Sequence, residues 1–305
     1  MKLKIQLQLL FILILSSSCV RAQLGENEPL FIQDSLKLIS SQFKFTEGAS
    51  VDKKGNVFFT DQPNNTIWKY STAGKLSLFT AKAGRANGTY FDKKGNLIAC
   101  ADENFKILSF DKNANPTLVY QNPKHSNLNG PNDLWINRKG EIYFTDPYYQ
   151  RDYWTRKAPA IVGEKVYFLK ATKREEGMGG IIVVEDSLQR PNGIVGTPNG
   201  KILYVADAKG GKTYQYDIKP DGSLMNRVML INQGSDGMTL DEHGNIYLTG
   251  NGVTIFDKAG KQIAHINVPL ARTSNVCFGG KKRNILFITS GKSIYTLPMT
   301  VKGVE

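Results

Sequence analysis

Short apolar runs broken by polar turns recur along this chain with a period of about 40–45 residues. Six stretches share one order: a brief apolar run, a polar turn, then an alternating apolar strand that often ends in Asp. They cover residues 50–61, 90–102, 135–146, 194–207, 239–250 and 276–290. The turn is closed by Gly55, Gly95, Gly140, Gly200 and Gly244, with Arg283 holding the place in the sixth copy. The step from Gly140 to Gly200 is longer, so an insertion falls there. Period-two alternation, β-branched and aromatic residues, and Gly, Asn or Asp at the turns predict strands throughout. No stretch carries the period of an amphipathic helix.

Each copy runs on into further strand-like stretches, such as 67–70 with 76–79, 107–110 with 117–120, and 165–169 with 181–184. Four strands per repeat at this period is the pattern of a propeller blade, and six copies close a ring. The expected fold is therefore all-β, a six-bladed β-propeller of four-stranded blades. The sixth copy is one strand short, because little follows residues 293–298. An apolar stretch at 36–45 precedes the first copy and is expected to supply the missing outer strand. The propeller then occupies residues 23–305 as a single domain.

The first residues stand outside that pattern. Lys2 and Lys4 make a positive start, an apolar run at 9–15 follows, and Val20-Arg21-Ala22 ends the segment. This reads as a signal peptide at 1–22, cleaved after Ala22, with an apolar core too short to span a bilayer. Cys19 offers a second reading, as a lipid-modified cysteine, but Ser16 stands three residues before it where such sites usually carry Leu. An exported protein, periplasmic or secreted, is expected. No other long apolar segment exists, so no transmembrane segment is expected.

The chain of 305 residues has a formal charge of +12, which falls to +9 once Lys2, Lys4 and Arg21 leave with the leader. The remaining basic residues are scattered, many in turns such as Lys53-Lys54, Lys93-Lys94 and Lys281-Lys282. Nucleic-acid binding would want a basic stripe with interleaved aromatics, so nucleic acid is not an expected partner. Cys100 and Cys277 fall in strands of different repeats and read as buried thiols. Residues 206–213 fit a relaxed phosphate-loop pattern, but a strand follows where that motif needs a helix, so they read as a hairpin loop. No nucleophile elbow occurs, and His125, His243 and His265 are too scattered for a Ser-His-Asp triad.

Eight residues before each turn position stands an oxygen-bearing side chain: Glu47, Asn87, Asn132, Asn192, Asp236 and Asn275. In a propeller the first strand of each blade lines the channel, so these six starts converge around the axis at one face. Gathered there without a cation, six carbonyl or carboxylate oxygens would be costly to desolvate. Two carboxylates and four amides are hard ligands that suit Ca²⁺ best, Mg²⁺ or Mn²⁺ less well, and Zn²⁺ poorly. Taken one at a time, Glu47-Gly48, Asn87-Gly88, Asn192-Gly193 and Asp236-Gly237 are also ordinary turn dipeptides. That account explains neither the Glu nor the pair Asn132-Asp133. The loop after the second strand of the third copy, residues 147–160, lies on the same face. It is rich in Tyr148, Tyr149, Arg151, Tyr153, Trp154 and Arg156 and reads as a substrate lid.

With Glu47-Gly48, Pro131-Asn132-Asp133, Pro191-Asn192-Gly193 and Ser235-Asp236-Gly237 in this order, the chain resembles the SMP-30/gluconolactonase/luciferin-regenerating family. The resemblance covers nearly all of the mature chain and includes residues 144–147 and 274–280. It implies a six-bladed propeller, with Glu47, Asn132, Asn192 and Asp236 as protein ligands of a divalent ion, usually calcium. Asn87 matches a position near the substrate, and Asn275, Tyr148, Arg151 and His125 are further candidates for substrate contact. The implied activity is hydrolysis of lactones, including sugar lactones such as gluconolactone. Asp236 is the candidate general base. Animal members carry an Arg two residues before the Asn132 position, where this chain has Gly130; Arg85, Arg151 and Arg190 are candidate substitutes.

Two readings of function follow. In the first, a calcium-dependent lactonase, expected as a monomer, opens a sugar lactone, or another ester or phosphotriester at the same site. In the second, a non-catalytic propeller binds a ligand or partner and calcium is structural. Fold alone does not separate them.

Overall fold

The computed structural model describes residues 29–121, 128–171, 180–269 and 272–305. The expected signal peptide at 1–22 with Cys19, and the candidate His125, lie outside the described residues. Six four-stranded antiparallel sheets stand around a central axis. Their inner strands are Thr46–Val51, Ala86–Phe91, Leu134–Ile136, Pro191–Gly196, Met238–Leu240 and Thr273–Gly279, which head blades 1 to 6 in that order. Blade 6 takes its outer strand, Lys37–Ser40, from before blade 1. That strand pairs with Ser293–Pro298 through Lys37↔Thr296, Leu38↔Tyr295 and Ser40↔Ile294. The ring is thus closed by the first strand of the chain, as the apolar pattern at 36–45 predicts.

The core lies in the slots between blades, where two sheet faces meet. Phe58 of blade 1 packs edge-on against Phe79 of its own blade and Phe91 of blade 2 at about 5 Å. On the other side of blade 1, Phe59 meets Phe287 of blade 6 at 5.5 Å. Phe144, Phe168, Phe278 and Phe287 are fully buried, and truncating any of them to Ala should cost about 3–5 kcal/mol. Trp135 of blade 3 lies where a side chain on Gly196 of blade 4 would stand, so that position admits only glycine.

At the hairpin between first and second strands, Gly55, Gly95, Gly140, Gly200 and Gly244 all take positive φ, and Arg283 takes φ 58° in the sixth copy. The register of six turns read from the sequence therefore holds in backbone conformation, including the copy without glycine. Cys100 and Cys277 are buried thiols. Residues 208–211 form a hairpin loop between strands Ile202–Asp207 and Lys212–Ile218, with Gly210 N–H donating to Asp207 Oδ1 at 2.8 Å. Among the described residues, no helix is long and apolar enough to cross a membrane.

Candidate active site

The six inner strands begin at one mouth of the channel. Their first turns are tied blade to blade. Thr60 Oγ1 donates to Asn87 O (3.0 Å), Gly88 N to Asn132 O (2.7 Å), and Thr249 Oγ1 to Ser274 O (3.1 Å). Ser274 Oγ closes the circle onto Thr46 O (2.6 Å). The glycines that follow the oxygen-bearing residues serve this close approach. A Cβ on Gly48 would collide with the Asn87 carbonyl, one on Gly88 with Asp133, one on Gly193 with the Asp236 carbonyl, and one on Gly237 with Asn275. Of these four, only Gly48 has positive φ. An ordinary turn requirement therefore does not explain the other three.

The predicted set comes together at this mouth. Glu47, Asn87, Asn132, Asn192 and Asn275 are buried, and Asp236 is partly exposed. Asn192 Nδ2 donates to Asp236 Oδ1 (2.6 Å) and to the Tyr149 hydroxyl (3.0 Å). Asn192 Oδ1 is buried and has no hydrogen-bond partner among the described residues. Glu47 accepts one hydrogen bond, from Gly48 N–H at 3.2 Å. Burial holds its carboxyl well above the usual range, and the charges of Asp236 and Asp133 push it further. Burial also raises Asp236, while the Arg272 guanidinium, the Asn192 amide and Arg151 pull it back down. Asp133 is raised to about 8, chiefly by burial. Its carboxylate accepts from Leu134 N–H at 2.9 Å. Asp133 also crowds Gly88 of blade 2, where a Cβ would meet its Oδ1, and it stands beside the candidate ligand Asn132.

An orphaned, buried amide oxygen in a ring that also holds the carboxyls of Glu47 and Asp236 fits a hard cation. Each missing interaction there is one that a divalent ion would supply. Among the described residues no three His, Cys, Asp or Glu side chains group as metal ligands. The set is instead a mixture of amides and carboxylates, a composition that suits calcium and disfavours zinc.

The loop at 147–160 roofs the mouth, and it is pinned at its far end to blade 2. Arg151 Nε pairs with Asp102 at 2.8 Å, the Tyr153 hydroxyl bonds the same carboxylate, and Trp154 Nε1 donates to Asp102 O at 3.1 Å. Arg156 donates to the carbonyls of Leu128 and Asn129 and lies 4.2 Å from the Phe105 ring centre. Trp154 fills the space that a side chain at Gly130 would need. Gly130 is thus walled by the Trp154 ring, which leaves no room for a larger side chain. Of the candidate substitutes, Arg151 is held by Asp102, and Arg190 pairs with Glu164 at 3.3 Å. Arg85 bonds the Pro63 carbonyl and stacks 4.3 Å from the Tyr153 ring centre.

Tyr148 turns its hydroxyl to Gln150 and its ring to Trp154 and Arg156. Its neighbour Tyr149 is the lid residue that reaches Asn192. From the sequence, Tyr149 is one lid aromatic among several, and nothing in the repeat singles out Arg272, three residues before Asn275. Proximity to the last position of the ring was the available signal for Arg272. At the opposite mouth, a cavity of about 280 Å³ is lined by Tyr90, Trp135, Arg138, Arg283 and Glu305. It stands apart from the oxygen ring.

Six blades, each bringing one oxygen donor to a shared mouth beneath an aromatic roof, define a propeller of the kind whose hub carries polar chemistry. The chain belongs to the SMP-30/gluconolactonase/LRE-like family, whose model matches residues 45–292. A gluconolactonase from Zymomonas mobilis is 28% identical over 87% of this chain and 81% of its own length. The solved structure of a gluconolactonase from Xanthomonas campestris is 25% identical, with a TM-score of 0.77 over 87% of this chain and 89% of that one. A calcium-binding regucalcin structure from Agrobacterium tumefaciens shares the fold at 17% identity and a TM-score of 0.73, over 90% and 95% of the two chains. Lactone hydrolysis is thus an activity named within the family.

Proposed function

We propose that this protein is an exported, calcium-dependent lactonase that opens a sugar lactone to its hydroxy acid. The observation that carries the reading is the unpartnered oxygen of Asn192, buried beside Asp236 in the ring that also holds Glu47. The names of the Zymomonas and Xanthomonas relatives supply the substrate class, and the regucalcin neighbour supports calcium.

Glu47, Asn132, Asn192 and Asp236 would hold the ion, which when bound polarises a carbonyl and stabilises the oxyanion that forms on it. The chain's own groups do the rest. Asp236, partly exposed at the mouth, takes a proton from the attacking water as the water oxygen bonds the lactone carbonyl carbon. The ring C–O bond breaks and the leaving alkoxide takes up that proton, so the base is restored. Asn192 steadies the Asp236 carboxylate through its amide. Tyr149, Trp154 and the rest of the roof cover the substrate and exclude bulk water.

The test is hydrolysis of a lactone panel by the mature protein, followed by acid release after EDTA treatment and again with Ca²⁺, Mg²⁺, Mn²⁺ or Zn²⁺ restored. Turnover that returns with Ca²⁺ and is lost in Asp236→Asn supports the proposal. No turnover on any lactone or ester, with calcium still raising the melting temperature, would replace the enzyme by a binding propeller. N-terminal sequencing of the exported product checks cleavage after Ala22.

A further inference from the structure

We propose that Tyr149 is a positioning residue that fixes which end of the Asn192 amide faces the ring, and that Asp102 of blade 2 anchors the roof holding Tyr149 there. The inference rests on the metal-binding reading above. It adds to that reading a specific device outside the ring itself.

An asparagine is a usable cation ligand only through its oxygen. Its two ends are nearly the same size, so packing alone selects poorly between them, and hydrogen bonds decide. Here both acceptors lie on one side. The Tyr149 hydroxyl at 3.0 Å and Asp236 Oδ1 at 2.6 Å take the two N–H bonds of Nδ2, which leaves Oδ1 buried and unpartnered. With Tyr149 removed, one amide hydrogen would lose its acceptor and the selection would fall to Asp236 alone. Asp236 is itself a candidate ligand, so its hold on Asn192 competes with its hold on the ion. Tyr149 has no such conflict.

Tyr149 is placed by contacts that reach across three blades. The guanidiniums of Arg190 and Arg151 lie over its ring, 4.9 Å and 5.7 Å from the centre. Arg190 is held by Glu164, and Arg151 by Asp102. Asp102 departs from its counterparts in the other repeats. Asp61 accepts from Lys44 and Phe45 N–H, Asp146 from Asn129 and Gly130 N–H, and Asp207 from Gln189 and Arg190 N–H. Each of those three therefore ties down the segment leading into its own blade. Asp102 instead accepts from Gln62 of blade 1 and from Arg151 and Tyr153 of the roof. The position has been turned from a local tie into an anchor for a loop of blade 3.

Groups that orient a metal ligand typically change metal affinity 10- to 100-fold when removed. Calcium binding measured by calorimetry on the mature protein tests this without reference to turnover. Tyr149→Phe should weaken calcium binding about 10-fold or more, with the melting temperature in EDTA unchanged. Asp102→Asn should weaken it in the same direction. The deciding comparison is Tyr149→Phe made in an Asn192→Asp background. A carboxylate presents oxygen at either end, so the effect of Tyr149→Phe should shrink below about 3-fold there if orientation is its role. Full calcium affinity in Tyr149→Phe, or an equal loss in both backgrounds, would overturn the inference while leaving the metal-dependent reading in place. A wild-type protein that binds no divalent ion would overturn both.

Discussion

In blades 1, 2, 3 and 5 the two ends of the inner strand carry the same residue types, Asp, Glu or Asn, in different circumstances. At the far end, Asp and Asn sit in the hairpin turns and are satisfied by backbone. Asp241 Oδ1 accepts from His243 and Asn245 N–H at 2.9 Å each, and its Oδ2 accepts from Asn245 Nδ2 at 2.7 Å and the Tyr247 hydroxyl at 3.1 Å. Asp52 accepts in the same way from Lys54 and Asn56. At the near end, Asn192 Oδ1 has no partner, Glu47 has one, and both are buried. The near end thus differs at Asn192 and Glu47, which the described chain leaves short of partners, while Asn275 at the same mouth is satisfied by Val276 N–H. Satisfied groups hold the fold. The unsatisfied Asn192 oxygen is kept at a cost that a bound cation would relieve.

That contrast breaks first at the carboxylates. Glu47→Gln and Asp236→Asn should each lower lactone turnover on the order of 100-fold or more and remove calcium binding. The metal-free melting temperature should stay level or rise, because a buried carboxyl whose ionisation is opposed by its surroundings has gone. A fall in metal-free stability would place these groups with the structural set. Next comes the ion itself. Calcium at a hundred times its dissociation constant should stabilise the protein by about 2.7 kcal/mol, read as a melting temperature that falls in EDTA. Glu47→Gln should show no such difference.

A third test uses protons. With its pKa raised in the metal-free protein, Glu47 holds a proton over part of the range in which an ordinary carboxylate is ionised. Binding an ion must expel that proton, so calcium affinity should fall as pH is lowered, by up to about tenfold per unit for each proton released. Calorimetry in buffers of different ionisation enthalpy would detect the release, and a pH-independent affinity would contradict it. The smallest effect on function belongs to the far end. Asp241→Ala should cost about 2 kcal/mol of stability through lost turn hydrogen bonds, with kcat and calcium affinity unchanged.

The fold was legible because its information is periodic. The turn positions, the alternation and the unpaired strand at 36–45 repeat or complete one local pattern, and each reads within a dozen residues. The ring of Glu47, Asn87, Asn132, Asn192, Asp236 and Asn275 was legible for the same reason, since register alone places it. What differs among the six was not. Asn275 turns its Oδ1 to its own neighbour's amide, Val276 N–H, at 2.8 Å, whereas that of Asn192 is left free. The choice between Tyr148 and Tyr149, the anchor at Asp102 and the charge of Arg272 on Asp236 all depend on contacts between blades. No spacing along the chain encodes such contacts. Gly130 shows the same limit, because its meaning appears only once Trp154 is seen filling the space above it.

The central claim is that the unsatisfied ring takes an ion and that the ion is needed for lactone opening. Calcium titration of the EDTA-stripped protein, with binding and gluconolactone hydrolysis recorded on the same samples, tests it most directly. Turnover should rise in proportion to the fraction of protein with calcium bound, saturate at one ion per chain, and stay flat in Asp236→Asn. Full turnover in the stripped protein, or calcium bound at one per chain with no change in turnover on a lactone it hydrolyses, would contradict it.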